Sequence, residues 1–121
     1  MNRLPKTVTL FEMGARDGLQ NEAAIIPTDA KVRFVDLLSQ TGLQWIEATS
    51  FVSPRAIPQL ADASEVFTRI RKAPGVRYPV LTPNLKGYAR AKAVGADAIA
   101  VFTAASEHFT KRNINMTIAE S

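Results

Sequence analysis

The feature that most restricts what this chain can fold into is an alternation. Four apolar segments of strand length, Val8 to Glu12, Trp45 to Ala48, Tyr78 to Leu81 and Ala98 to Phe102, are separated by stretches whose apolar residues recur at helical spacing. Each segment is continuous or nearly continuous in apolar residues, as a strand buried on both faces of a sheet requires. The stretches between them carry helix punctuation. One opens at Thr28 after Pro27, sets Val32, Val35 and Leu38 at helical intervals and stops at Gly42. A second runs from Asp62 through Val66, Phe67 and Ile70 to Pro74-Gly75, and a third from Asn84 through Leu85, Tyr88 and Ala91 to Gly95. Strand alternating with helix predicts an α/β fold of parallel βα units in a single domain over residues 1–121.

Parallel order also says which end of the sheet works. The helix-to-strand turns are short, whereas the strand-to-helix connections Met13 to Pro27, Thr49 to Ala61 and Thr103 to Met116 are long. In parallel α/β folds ligands lie beyond the carboxyl ends of the strands, where those connections converge. Arg16 with Asp17, Glu47 with Ser50, Thr82 with Asn84, and Ser106 with Lys111 and Asn113 are therefore expected to gather at one face.

The chemistry of that face is that of a cation beside acids. Asp17 supplies the hard oxygen that magnesium or manganese prefers, and Arg16 a permanent positive charge able to stabilise an enolate. A surface ion pair between the two is the plainer reading. Glu47 ends an otherwise apolar strand, where a carboxylate is costly unless paired; Arg16 is its expected partner. That partnership serves either to brace Arg16 or to help hold the metal. The connection TSFVSPRAIP, with two prolines, is stiff, so Ser50 and Phe51 either line a pocket or form a rigid connector. Lys111-Arg112-Asn113 is a short basic run that suits phosphates or simply faces solvent.

Composition removes several classes. There is no Cys, hence no disulfide framework and no thiolate zinc site, and the single histidine, His108, cannot form a His-His metal pair. Lys plus Arg exceed Asp plus Glu by 15 to 11, a net charge of +4, but the basic residues sit on helical patterns without interleaved aromatics, so no nucleic-acid surface is expected. No apolar run is long enough to span a membrane, and MNRLPKTVTLF has no apolar leader core, which predicts a soluble, cytoplasmic protein without a membrane partner. Thr117-Ile118-Ala119-Glu120 has the form of a capping box with one residue behind it, which predicts a chain cut short of its next helix.

The stretches GARDGLQNE, IEATSFVSP, YPVLTPNLKGY and AASEHFTKRNIN, in this order and spacing, resemble the N-terminal part of the hydroxymethylglutaryl-CoA lyase family. The resemblance covers nearly everything from Val8 onward and implies about the first half of a TIM (β/α)8 barrel. It implies Asp17 as a ligand of a divalent cation (Mg2+ or Mn2+), and Arg16 and Glu47 as catalytic, Arg16 on the enolate and Glu47 holding cation site and arginine in place. Arg16, Gln20 and Ser50 would contact an acyl-CoA substrate, with Lys111 and Asn113 near its CoA portion. The implied reaction cleaves 3-hydroxy-3-methylglutaryl-CoA to acetoacetate and acetyl-CoA, in leucine breakdown and ketone-body formation, by a full-length homodimer. The family's metal-binding histidines and asparagine belong to the second half of the barrel, so this stretch alone is expected to be inactive. Another acyl-CoA lyase or an acetyl-CoA-dependent synthase of the same superfamily, or a non-catalytic half-barrel that binds a partner, stays open on these residues.

Overall fold

A computed structural model describes residues 4–121; Met1 to Arg3, the start of the segment read as lacking a leader core, lie outside the described residues. The alternation is present. Strand β1 (Phe11–Glu12) pairs in parallel with β2 (Trp45–Ile46), and β3 (Thr49–Ser50), β4 (Val80–Leu81) and β5 (Ile99–Ala100) form a second parallel set in that order. The two sets share one piece of chain. Residues 45–51 run between β1 and the 77–81 segment, with Glu47 N–H donating to Glu12 O at 2.8 Å and Ala48 N–H to Pro79 O at 3.0 Å.

Helices α1 (Thr28–Leu38), α2 (Ala63–Arg69) and α3 (Leu85–Ala93) occupy the connections the spacing predicted. The turns after α1 and α3 close on left-handed glycines, Gly42 at φ +87° and Gly95 at φ +77°, values that cost an L side chain but not glycine. Helix α2 stops earlier than the Pro74-Gly75 expected, at Arg69 with Ile70 extended behind it, and Gly75 at φ +78° serves the later turn into the 77–81 segment. Val35 of α1, Val66 and Phe67 of α2 and Ala91 of α3 pack on Ile46, Ala48, Phe51 and Val80, so the core lies between the helices and the middle of the sheet. Asn84 caps α3, its side-chain oxygen accepting from Gly87 N–H at 2.9 Å. Gly87 itself sits where a Cβ would come within 2.8 Å of Phe51 O, so α3 lies directly on the connection that leaves β3.

Three expectations need correction. The long fourth connection is not all loop: α4 (Glu107–Ile114) fills most of it, capped by Ser106 and closed by Asn115 at φ +57°. The outer segments are not buried on both faces, because among the described residues β1 and β5 each have one neighbouring strand; Val8, ahead of β1, is 75% exposed and Val101, just after β5, 71%. Arg90, which with Lys92 reads from the sequence as part of a solvated helix face, instead donates to Val52 O at 3.1 Å and lies over the Phe51 ring.

Candidate active site

Beyond Glu12 the chain turns sharply. Glu12 Oε1 accepts from Gly14 N–H at 2.5 Å, and Met13 O then receives the N–H groups of Arg16, Asp17 and Gly18 at 3.1, 2.7 and 3.4 Å. The last of these spans five residues, so Gly14–Gly18 is a single π-turn, a geometry that concentrates at functional sites. The wide turn sends successive side chains in different directions. Arg16 runs inward, only 12% exposed, while its neighbour Asp17 stays 57% exposed.

Arg16 is held from two sides. Its Nε donates to Glu47 Oε2 at 2.7 Å and its Nη1 to Asp17 Oδ1 at 2.9 Å. Glu47 is 1% exposed, so its charge depends on Arg16 for compensation. With Nε and Nη1 engaged, Nη2 makes no hydrogen bond among the described residues. A guanidinium fixed by two carboxylates points its remaining donors one way, as recognition of an anionic oxygen needs.

These side chains border a cavity of about 500 Å³. Arg16, Asp17 and Gln20 form one wall, Val52, Ser53, Ala56 and Ile57 a second, and Asn113 with Asn115 and Met116 a third. Gln20 Oε1 is buried with no hydrogen-bond partner among the described residues, an acceptor left for something in the cavity. Asn84 also lines it, whereas Thr82 lines a neighbouring cavity on the far side of Pro83 and Asn84.

Ser50 and Lys111 stand apart from this group. Ser50 is fully buried and its hydroxyl donates to Leu81 O at 3.3 Å, so it braces the sheet and is not on the cavity wall. Lys111 is exposed on α4 and Ser106 is that helix's cap; neither borders the cavity. Asn113 reaches it because α4 carries it there, and Asn115 follows through its left-handed turn. Sequence reasoning passed over Val52, Ser53, Ile57 and Asn115, and it passed over α4 too. The signal for that helix was present: a Ser cap followed by Glu107 in the first turn, with Lys111 and Arg112 in the last.

As a hard-cation site the residues fit in part. Asp17 is an exposed carboxylate on the cavity wall, but no group of three or more His, Cys, Asp or Glu among the described residues could hold a metal ion unaided.

Known proteins resemble this chain over nearly all of its length. The chain is 60% identical over 117 residues to a mitochondrial hydroxymethylglutaryl-CoA lyase of Gallus gallus and 59% identical over 121 residues to a cytoplasmic 3-hydroxy-3-methylglutaryl-CoA lyase of Homo sapiens. It covers 97% and 100% of itself in those matches but only 39% and 33% of the relatives, so it spans well under half their length. The solved HMG-CoA lyase of Brucella melitensis superposes on 96% of the chain, at a TM-score of 0.90 and 58% identity, using 41% of its own length. An HMG-CoA lyase of Acinetobacter baumannii, solved with coenzyme A and 3-methylmalate, superposes on 98% of the chain and 39% of its own, at a TM-score of 0.90 and 41% identity. The parallel βα units are accordingly about the first half of a TIM barrel. The family model described as HMGL-like matches residues 7–121, and the chain belongs to that family.

Proposed function

We propose that this chain carries the arginine-bearing part of the active site of a hydroxymethylglutaryl-CoA lyase, as the N-terminal part of one TIM-barrel catalytic domain. The reaction is cleavage of 3-hydroxy-3-methylglutaryl-CoA to acetoacetate and acetyl-CoA, within leucine breakdown and ketone-body formation. One observation carries the reading: a guanidinium gripped by a buried and an exposed carboxylate at the wall of a cavity, with one nitrogen uncommitted.

The chemistry follows from what each group can do. The tertiary hydroxyl of the substrate gives up its proton to a base, the adjoining carbon-carbon bond breaks, and its electron pair moves onto the thioester as an enolate, which takes a proton at carbon to become acetyl-CoA. Arg16 stabilises that enolate oxygen, and because Glu47 and Asp17 already hold it, little reorganisation accompanies the charge. Gln20 offers its unpartnered amide oxygen to a substrate donor, and Asn113 on the cavity wall serves the CoA portion, with Lys111 outside the cavity on the same helix meeting that portion where it leaves. Asp17 would supply one ligand to Mg2+ or Mn2+, which when bound polarises the substrate oxygens. A cytoplasmic location and a homodimeric full-length form are part of the same proposal; curated relatives carry both mitochondrial and cytoplasmic names.

The test is Arg16→Gln in a version extended to the length of the relatives, assayed for acetoacetate from 3-hydroxy-3-methylglutaryl-CoA. Loss of one such donor costs roughly 10²–10³ in kcat. A loss below tenfold would remove Arg16 from the chemistry. The 121-residue chain, with one exposed carboxylate for the metal, is expected to show little or no turnover, and normal turnover would overturn that.

A further inference from the structure

Lys31 is 3% exposed, an unusual position for a lysine on an amphipathic helix. Its ammonium donates to Asp62 Oδ1 at 2.6 Å and to the carbonyl of Gln59 at 2.6 Å, while Asp62 Oδ2 accepts from Thr28 Oγ1 at 2.7 Å. Gln59 lies in the short 3-10 turn Pro58–Leu60, at the end of the connection whose Val52, Ser53, Ala56 and Ile57 make the second wall of the cavity. The side chain of Gln59 reaches the other way, and its Nε2 donates to Glu22 O at 3.0 Å. Glu22 closes the turn immediately after Arg16, Asp17 and Gln20, its own N–H bonded to Leu19 O at 3.3 Å. The path from α1 through Gln59 to Glu22 therefore joins the two walls behind the cavity without entering it.

A buried ion pair adds little stability beyond what an apolar pair of the same volume would give. What an ammonium adds is direction: it fixes the Gln59 carbonyl, and so the register of the turn from which the Gln59 amide reaches Glu22. We propose that Lys31 is a positioning residue that couples the two walls of the cavity, acting through Gln59 on the loop that carries Arg16 and Asp17. The role rests on that loop being the working one and says how its placement against the second wall is set.

Amide hydrogen exchange in the 121-residue chain tests the coupling without any turnover. The reporters are Asn21 and Glu22 in the turn that follows the first wall, Ala56 and Ile57 in the second wall, and Val80 in the core, all with bonded N–H groups. Lys31→Met is expected to speed exchange roughly three- to tenfold at both walls, the range that loss of one or two net hydrogen bonds gives, and to leave Val80 unchanged. Lys31→Arg, which keeps a charged donor, restores most of the protection. Gln59→Ala removes only the bridge and is expected to speed Asn21 and Glu22 alone. The coupling is overturned if Lys31→Met loosens the second wall and not the first, or if Val80 accelerates in proportion. Should Lys31→Met fail to fold, Gln59→Ala decides: unchanged exchange at Asn21 and Glu22 refutes the bridge. Failure of the coupling leaves the Arg16→Gln turnover result untouched, so the two readings fail separately.

Discussion

At the scale of single residues the site turns on a charge that has no water to support it. Glu47 is sealed beneath Arg16, so removing Arg16 strands a carboxylate that is 1% exposed. Arg16→Met is therefore expected to destabilise the chain by about 3–5 kcal/mol, and adding Glu47→Met should recover part of that loss instead of adding to it. Urea denaturation of the two single variants and the double variant measures the coupling; simple additivity would mean the pair is not an energetic unit. This pairing was legible in the sequence, because a carboxylate at the end of an apolar strand must find a cation and the cation beside Asp17 was the available one. The place of Ser50 was not. Ile46, Ala48 and Phe51 donate in turn to Arg77, Pro79 and Leu81, so one residue is inserted before the last step, and the period of two that tells one face from the other breaks just where Ser50 stands.

At the scale of elements, glycine and caps carried the most readable information. Gly42 and Gly95 announced the ends of α1 and α3 because glycine takes positive φ cheaply, whereas α2 stops at Arg69 with an extended Ile70, ahead of Gly75. Gly87 has a different role, since nothing in its sequence context shows that Phe51 O lies against it. Gly87→Ala is expected to cost about 1–3 kcal/mol as α3 is pushed off the β3 connection, although alanine is the better helix former; a rise in melting temperature would contradict that packing. The capping box read at the chain's end exists: Thr117 N–H and its hydroxyl donate to Glu120 Oε2 at 2.8 and 2.9 Å, and Glu120 N–H returns to Thr117 Oγ1 at 3.2 Å. The amide bond first, then the hydroxyl bond, hold the Glu120 carboxyl below its ordinary value. A depressed folded value means the cap's contribution is present above the ordinary Glu range and is lost as pH falls through the lowered value. An NMR titration should therefore show Thr117 and Glu120 amides shifting together at a pH below that of an unpaired Glu, and Thr117→Ala, which removes the hydroxyl bond but keeps the larger backbone one, should return Glu120 only part of the way.

For the whole molecule the pattern of apolar runs was enough to predict parallel βα order, but not how much of each run is covered. Continuous apolar sequence says a strand is built to be buried on both faces; it cannot say whether the neighbour that buries it lies among these residues. Ile46, Ala48 and Val80 are sealed because strands and helices flank them, whereas Val8 and Leu10 ahead of β1, Ile99 in β5 and Val101 just after it are 75%, 67%, 44% and 71% exposed. Phe11, stacked on Trp45 with Arg77 beyond it, is 41% exposed on the same β1 edge. Unpaired backbone beside exposed branched side chains is a template for another strand, and the parallel sense of β1 and β5 leaves each able to take one. The 121-residue chain is therefore expected to associate with a concentration dependence visible by sedimentation. Leu10→Lys with Val101→Lys should shift it toward monomer, because a charge on each edge opposes pairing while neither residue contributes to the packed core. If the lysine pair left the association unchanged, the contacts would have to lie elsewhere, and the neighbouring apolar cavity that contains Leu85, Ile99 and Val101 would be the next surface to alter.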